Sequence, residues 1–307
     1  MKRKVTAILS GLTIVLAAGC GQGNSNSGDG EPLQIMTTTA QIGDIAENVA
    51  GDQAEIETLM GPGVDPHLYQ ASQNDIQKLA DADIIFYNGL HLEGNLVKVF
   101  EEIKNDVPTI AVGENVPEEE LITEEGGNSS DPHVWFDPNR WTYAVDEVAA
   151  GLAELNEDEA GTYQENADEY ISMLEELDQY ADEKLQSIPE ESRILVTAHD
   201  AFGYFGDAYG FEVNGLQGLS TDSEYSVRDV NNLVSLLVEN DIKAVFVESS
   251  VSERAINAVI KGAADQGHEV SIGGELYSDA MGEAGTEEGT YEGMFRHNID
   301  TITSSLK

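Results

Sequence analysis

The sequence predicts an α/β protein of two lobes, each a mostly parallel sheet flanked by helices, joined by one long helix. Three observations carry this expectation. Short apolar runs alternate with segments of helical period, the pattern of parallel strands linked by helical crossovers. The alternation comes in two sets. Between the sets lies a long polar stretch with an apolar stripe that neither Gly nor Pro interrupts between Thr162 and Ile188, as a single stiff helix requires.

The elements follow in order. Strands are expected at residues 33–39, 56–60, 83–88 and 109–112, with helical segments after them at 40–50, 72–82, 92–103 and 139–155. The joining helix spans about 157–187, and Tyr163, Tyr170, Leu174, Leu177 and Leu185 form its stripe. The second set places strands at 194–198, 212–215, 244–248 and 269–272, and helices at 201–209, 226–240, 253–266 and 288–306. The connection 114–131 is acidic and rich in Gly, Asn and Ser, so it reads as an irregular loop. These assignments divide the chain into an amino-terminal lobe at 32–156, a linking helix at 157–188 and a carboxyl-terminal lobe at 189–307.

The first residues read differently. Lys2, Arg3 and Lys4 precede an apolar run over 5–18, and Ala17, Ala18 and Gly19 lead into Cys20. The run is too short to span a bilayer, so 1–19 is read as a signal peptide. A small-residue run ending in Cys resembles a bacterial lipobox, although Ala17 stands where the usual pattern has Leu. Cys20 is therefore the expected lipidation site, and the expected location is the outer face of the cell membrane. The competing reading is an ordinary cleaved signal that happens to contain a Cys. Residues 20–31 are polar and Gly/Ser/Asn-rich, a composition for a lipidated flexible tether. Cys20 is the only cysteine, which excludes an internal disulfide and a thiolate metal cluster.

The charge narrows the partners. The chain carries 15 basic and 58 acidic residues; loss of the three signal cations leaves 12 basic residues and a formal net charge of −46. Such a surface repels nucleic acid, and none is expected as a partner. Two readings fit the acidity: a broad cation sponge, or a halophilic adaptation in which salt screens the repulsion. The acids are scattered along helices rather than gathered in one tract, which favours the second.

Three of the six histidines sit in unusual surroundings. His67 ends the turn-rich run Gly61-Pro62-Gly63-Val64-Asp65-Pro66-His67, and His133 lies in Asp131-Pro132-His133-Val134-Trp135-Phe136-Asp137. His199 follows the apolar run Ile194-Leu195-Val196-Thr197-Ala198, and Asp279 lies beyond another predicted strand. Ligands of open α/β sheets bind at the carboxyl ends of strands, so two facing lobes would bring the four side chains into one cleft. Three imidazoles and a carboxylate suit a borderline divalent ion such as zinc or manganese. On spacing alone the signal is weak, because the four are far apart and form no compact motif. The competing reading has His67 and His133 capping turns after Pro and His199 as a buried structural histidine. Asp65, Asp137, Asp200 and Glu248 are candidates to orient the imidazoles, and sequence does not rank them. His91 reads as structural; His268 and His297 read as surface or helix positions without a metal role. Trp135 and Tyr277 read as packing.

Longer motifs add a resemblance. The segments 61–69, 87–93 (YNGLHLE), 131–137 (DPHVWFD), 196–205 (VTAHDAFGYF), 215–219 (GLQGL) and 273–282 (GGELYSDAMG) resemble the metal-receptor family of ABC importers, and most of all its TroA-like zinc/manganese members. The resemblance covers about 33–306. It implies a non-enzymatic receptor, taken to be a monomer, that binds Zn²⁺ or Mn²⁺ as its transported ligand. Delivery is to an ABC permease and its ATPase. The metal-holding residues of the family match His67, His133, His199 and Asp279. Some manganese-binding relatives carry Glu in place of His199. Zinc-dedicated members often carry a His-rich loop before the second ligand, whereas 116–130 here holds several Glu and no His. The resemblance therefore leaves zinc and manganese open. Two other roles stand beside it, an envelope metallohydrolase and an adhesin using the same fold. The expected route to metal release is a small shift of the carboxyl-terminal lobe.

Overall fold

The computed structural model describes residues 32–123 and 129–307. The signal peptide, Cys20 and the tether lie outside the described residues. The chain from Pro32 to Lys307 forms one compact unit. Among the described residues, no helix is long and apolar enough to cross a membrane.

The amino-terminal half runs β1 (Leu33–Thr37), α1 (Ala40–Ala50), β2 (Ala54–Thr58), α2 (Gln73–Asp81), β3 (Ile84–Tyr87), α3 (Val97–Ile103), β4 (Thr109–Ala111) and α4 (Pro138–Leu155). Its four strands form a parallel sheet in the order β2-β1-β3-β4. Local chemistry fixes the helix starts. Ser72 and Asp75 make a reciprocal capping box on α2, and Asp137 caps α4 ahead of Pro138 at its first turn. The described parts of the connection 114–131 carry local structure: the short 3₁₀ turns Val112–Asn115 and Glu118–Glu120 stand at its start, and Thr123 pairs with Ser130 in an antiparallel bridge.

Helix α5 (Ala160–Leu185) follows. Its buried face is Tyr163, Ala167, Tyr170, Leu174, Leu177, Ala181 and Leu185, the predicted stripe completed by two alanines that let neighbouring helices approach. The second half runs β5 (Ile194–His199), α6 (Gly203–Tyr209), β6 (Glu212–Gln217), α7 (Val227–Glu239), β7 (Ala244–Glu248), α8 (Arg254–Asp265), β8 (Ser271–Leu276) and α9 (Tyr291–Leu306). Its strands pair in parallel as β5-β6 and β7-β8, and β5 runs alongside β7.

Two predicted elements shift. Strand β8 extends through Gly273 and Gly274, where the sequence reads as a strand end. A Cβ at Gly274 would lie 2.4 Å from Thr301, and one at Gly273 would lie 2.9 Å from Ser305, both on α9. These glycines let α9 lie close on the strand. The helix expected from 92 begins only at Val97, because 89–91 adopts positive φ at Gly89, Leu90 and His91. Buried Glu93 holds that turn: its carboxylate accepts the backbone N–H of Asn88 and Gly89 and the hydroxyl of Thr38.

The main core joins α1, α4, α5 and α9 with the first sheet. A second core lies between β5, β7, α7 and α8. Within each sheet the strands are parallel to their partners, and the candidate residues lie at or beyond the carboxyl ends of strands.

Candidate metal centre

Each candidate side chain leaves a strand end or the loop beyond it. His67 follows β2, His133 opens the 3₁₀ turn Val134–Phe136, His199 is the last residue of β5, and Asp279 follows β8. The two Asp-Pro-His triplets fold alike. Asp65 Oδ1 accepts the backbone N–H of His67 and Asp131 Oδ1 that of His133, both at 2.9 Å. These are Asx turns stiffened by the intervening Pro.

The structure brings all four predicted residues together. One ligand atom from each of His67, His133, His199 and Asp279 lies within 4.8 Å of the others, and all four residues are buried. His67 Nε2 is 3.4 Å from His133 Nε2. Asp279 Oδ1 is 3.3 Å from His133 Nε2, and Asp279 Oδ2 is 3.3 Å from His199 Nε2 and 3.7 Å from His67 Nε2. Bonds of about 2.1 Å in a tetrahedral zinc site give ligand–ligand edges of roughly 3.4 Å, so the spacing fits a small cation at the centre. Both Asp279 oxygens face imidazole nitrogens, which allows three nitrogen and up to two oxygen donors. Among the described residues, His199 Nε2 and both Asp279 oxygens are buried without a hydrogen-bond partner. Buried polar atoms are ordinarily satisfied, and a bound cation would satisfy these three at once.

The electrostatics of the metal-free site follow from its carboxylates. Burial disfavours the imidazolium of His133, but Asp131 against Nδ1 (2.7 Å) and Asp279 near Nε2 outweigh it and push the group up to about 9. His199 is opposed by burial in the same way, yet Glu248 on Nδ1 and Asp279 raise it well above the ordinary histidine value. His67 lacks such a partner, and burial pulls it down to about 4. Burial would raise Asp279, but His199 and His133 hold it well below the usual carboxylate range.

Four of the residues raised as possible supports now separate. Glu248 holds His199 twice, accepting its backbone N–H at 2.8 Å and its ring Nδ1–H. Asp65 holds the His67 backbone. Asp137 caps α4 and pairs with Arg140 at 2.8 Å, away from the imidazoles. Asp200 makes no bond to a ligand ring; burial, then the neighbouring Asp131, raises it to about 6.

Sequence reasoning missed five supporting contacts. Asp131, which orients His133, was signalled by its repeat of the Asp65-Pro66-His67 triplet. Asn88 donates to the carbonyl of Pro132 at 3.0 Å, and Asn95 to that of His67 at 3.1 Å, so the turn after β3 fixes two ligand loops. Trp135 is fully buried as expected but also donates from Nε1 to the Ser278 carbonyl at 3.1 Å, beside Gln41 at 3.2 Å. The Asp279 loop is thereby tied to the amino-terminal half.

The remaining histidines stay out of the cluster. His91 is exposed on the left-handed turn. His297 bonds the Glu275 carbonyl at 3.0 Å from α9, with its ring against Tyr277. His268 is buried rather than at the surface, because its Nε2 donates to the Ile242 carbonyl at 2.6 Å.

A family model described as "Zinc-uptake complex component A periplasmic" matches residues 35–305. The chain belongs to this zinc-uptake component A family. Within it, the chain is 55% identical over 289 residues, 94% of each protein, to the manganese-binding lipoprotein MntA of Bacillus subtilis (strain 168). It is 46% identical over 278 residues, 91% of this chain and 90% of the relative, to the zinc-binding protein TroA of Treponema pallidum (strain Nichols). The solved structure of periplasmic zinc binding protein TroA from Treponema pallidum superposes with a TM-score of 0.88 at 45% identity, covering 90% of this chain and 99% of that one. Members of the family are solute-binding receptors rather than enzymes, which removes the metallohydrolase reading.

Proposed function

We propose that the protein is an extracellular receptor that captures Zn²⁺ or Mn²⁺ at His67, His133, His199 and Asp279 and delivers it to an ABC import permease driven by its ATPase. The observation that carries this reading is the convergence of three imidazoles and one carboxylate from four separate segments of the chain into one buried cluster. Relatives named for manganese and for zinc support both metals. The four-residue donor set fills a tetrahedral site, unlike hydrolytic zinc centres, which keep a position open for water. The reading includes a monomeric chain held at the membrane by lipid on Cys20, in keeping with the lipoprotein named among its relatives. Release proceeds by a small movement that withdraws His199 with Glu248, since the Asp279 loop is bonded to Gln41 and Trp135. Deleting the gene should slow growth in zinc- and manganese-depleted medium, and restoring either metal or the gene should rescue it. Growth equal to the parent in depleted medium, in a strain without a second importer, would count against the role.

The proposal for the acidic surface is halophilic adaptation. Like charges at a formal net of −46 destabilise a compact chain, and molar salt shortens the Debye length to about 3 Å. The melting temperature of metal-free protein should therefore rise by about 5–10 °C between low and molar NaCl, a few kcal/mol at this size. KCl should act alike. A flat or falling melting temperature would restore the cation-sponge reading.

A further inference from the structure

Beside the ligand cluster, a hydrogen bond between two side chains joins the His67 loop to the carboxyl-terminal half. Asp65 uses Oδ1 to hold the His67 backbone N–H, and its Oδ2 accepts the hydroxyl of Thr221 at 2.6 Å. Thr221 stands in the loop after β6 and is buried. That loop is tied back to another ligand. Gln217, the last residue of β6, is the register partner of His199 on β5, and its amide donates to the carbonyls of Thr221 and Ser223 at 3.2 Å. A continuous path thus runs from His199 through Gln217, Thr221 and Asp65 to His67.

His67 is the ligand that most needs this support. Asp131 and Glu248 orient the rings of His133 and His199 through Nδ1. Among the described residues, no carboxylate lies within 4.0 Å of the His67 Nδ1. His67 is held from its backbone alone, by Asp65 on the N–H and Asn95 on the carbonyl.

We infer that Thr221 is a positioning residue for metal retention, its hydroxyl holding Asp65, and through it His67, in the bound geometry while the two halves stay closed. The inference rests on the metal-receptor reading above. In this structure the hydroxyl reaches Asp65 across the cleft at 2.6 Å, and a movement that parts the halves would break the bond. It therefore stabilises the bound state without aiding the first encounter, and its loss should appear in dissociation rather than association.

The test uses the full mature chain loaded with Zn²⁺ alone and mixed with excess chelator in a stopped-flow instrument. Thr221→Val, which keeps shape but removes the donor, should release Zn²⁺ about ten-fold or more faster than the parent, the scale of one lost hydrogen bond to a charged group. Thr221→Ser, which keeps the donor, should release at close to the parent rate. Thr221→Ala supplies a second donor-less variant should Thr221→Val fold poorly. Association rates should agree among variants within about two-fold. Release from the donor-less variant at the parent rate overturns the inference, as does Thr221→Ser releasing as fast as Thr221→Val, because packing alone would then explain the effect. A parent chain that takes up no Zn²⁺ and no Mn²⁺ would instead defeat the receptor reading on which the inference depends.

Discussion

His133→Ala and Asp279→Ala should each weaken zinc or manganese binding by about 10²–10³-fold. Apparent binding free energies of about 10–16 kcal/mol for four-ligand zinc sites, spread over four donors, give ~2.5–4 kcal/mol for each, and every 1.4 kcal/mol is about ten-fold. His67→Ala and His199→Ala should fall in the same range. Removing a support instead of a ligand should cost less. Asp131→Asn and Glu248→Gln keep the ring in place but lose the carboxylate on Nδ1, and such changes typically cost about 10–100-fold. His297→Ala should leave affinity unchanged, since its ring bonds the Glu275 carbonyl outside the cluster. His268→Ala should lower stability, because it strands a buried carbonyl, while sparing affinity. Competition against a chelator of known affinity measures all of these. Equal affinity of His67→Ala and the parent would remove His67 from the site.

The second large effect is on pH. Metal binds only neutral imidazole. In metal-free protein the neighbouring carboxylates favour the protonated forms of His133, pushed up to about 9, and of His199, raised well above its ordinary value; His67, near 4, is neutral at pH 7. Protons therefore compete with the ion below the raised values, and affinity falls as pH falls. Binding at pH 7 should therefore release protons, the one on His133 among them, and affinity should rise with pH between 6 and 8. Toward pH 4 His67 also protonates, a further proton competes, and the ion should be lost. Unperturbed histidines, with pKa about 6.5, would give an affinity nearly flat above pH 7.5. Calorimetry in buffers of differing ionisation enthalpy counts the protons. Release of none at pH 7, or full occupancy near pH 4, would contradict the site's charge state.

Much of this geometry was legible in the chain. The apolar run ending at His199 marks a strand end because β5 is buried along most of its length, and a buried parallel strand needs that composition. The stripe on α5 was legible because helical period is a local property. What escaped depends on contacts between distant segments. Glu93 folds inward to cap a left-handed turn, and only the three-dimensional arrangement shows Asn88 and Asn95 reaching the loops of His133 and His67. Gly273 and Gly274 read as breakers until α9 is seen lying on them. Asp131 carried a usable signal, the repeated Asp-Pro-His triplet, whereas the tie from Trp135 to Ser278, separated by 143 residues, carried none.

The central claim is that four distant segments of the chain build one transition-metal site. Anomalous scattering from crystals of protein purified without added metal, recorded across the zinc and manganese edges, tests it most directly. A single peak among His67, His133, His199 and Asp279, about 2.0–2.2 Å from their donor atoms and absent in Asp279→Ala, is the predicted result. A metal peak elsewhere, with these four side chains hydrogen-bonded to one another or to water, would contradict it.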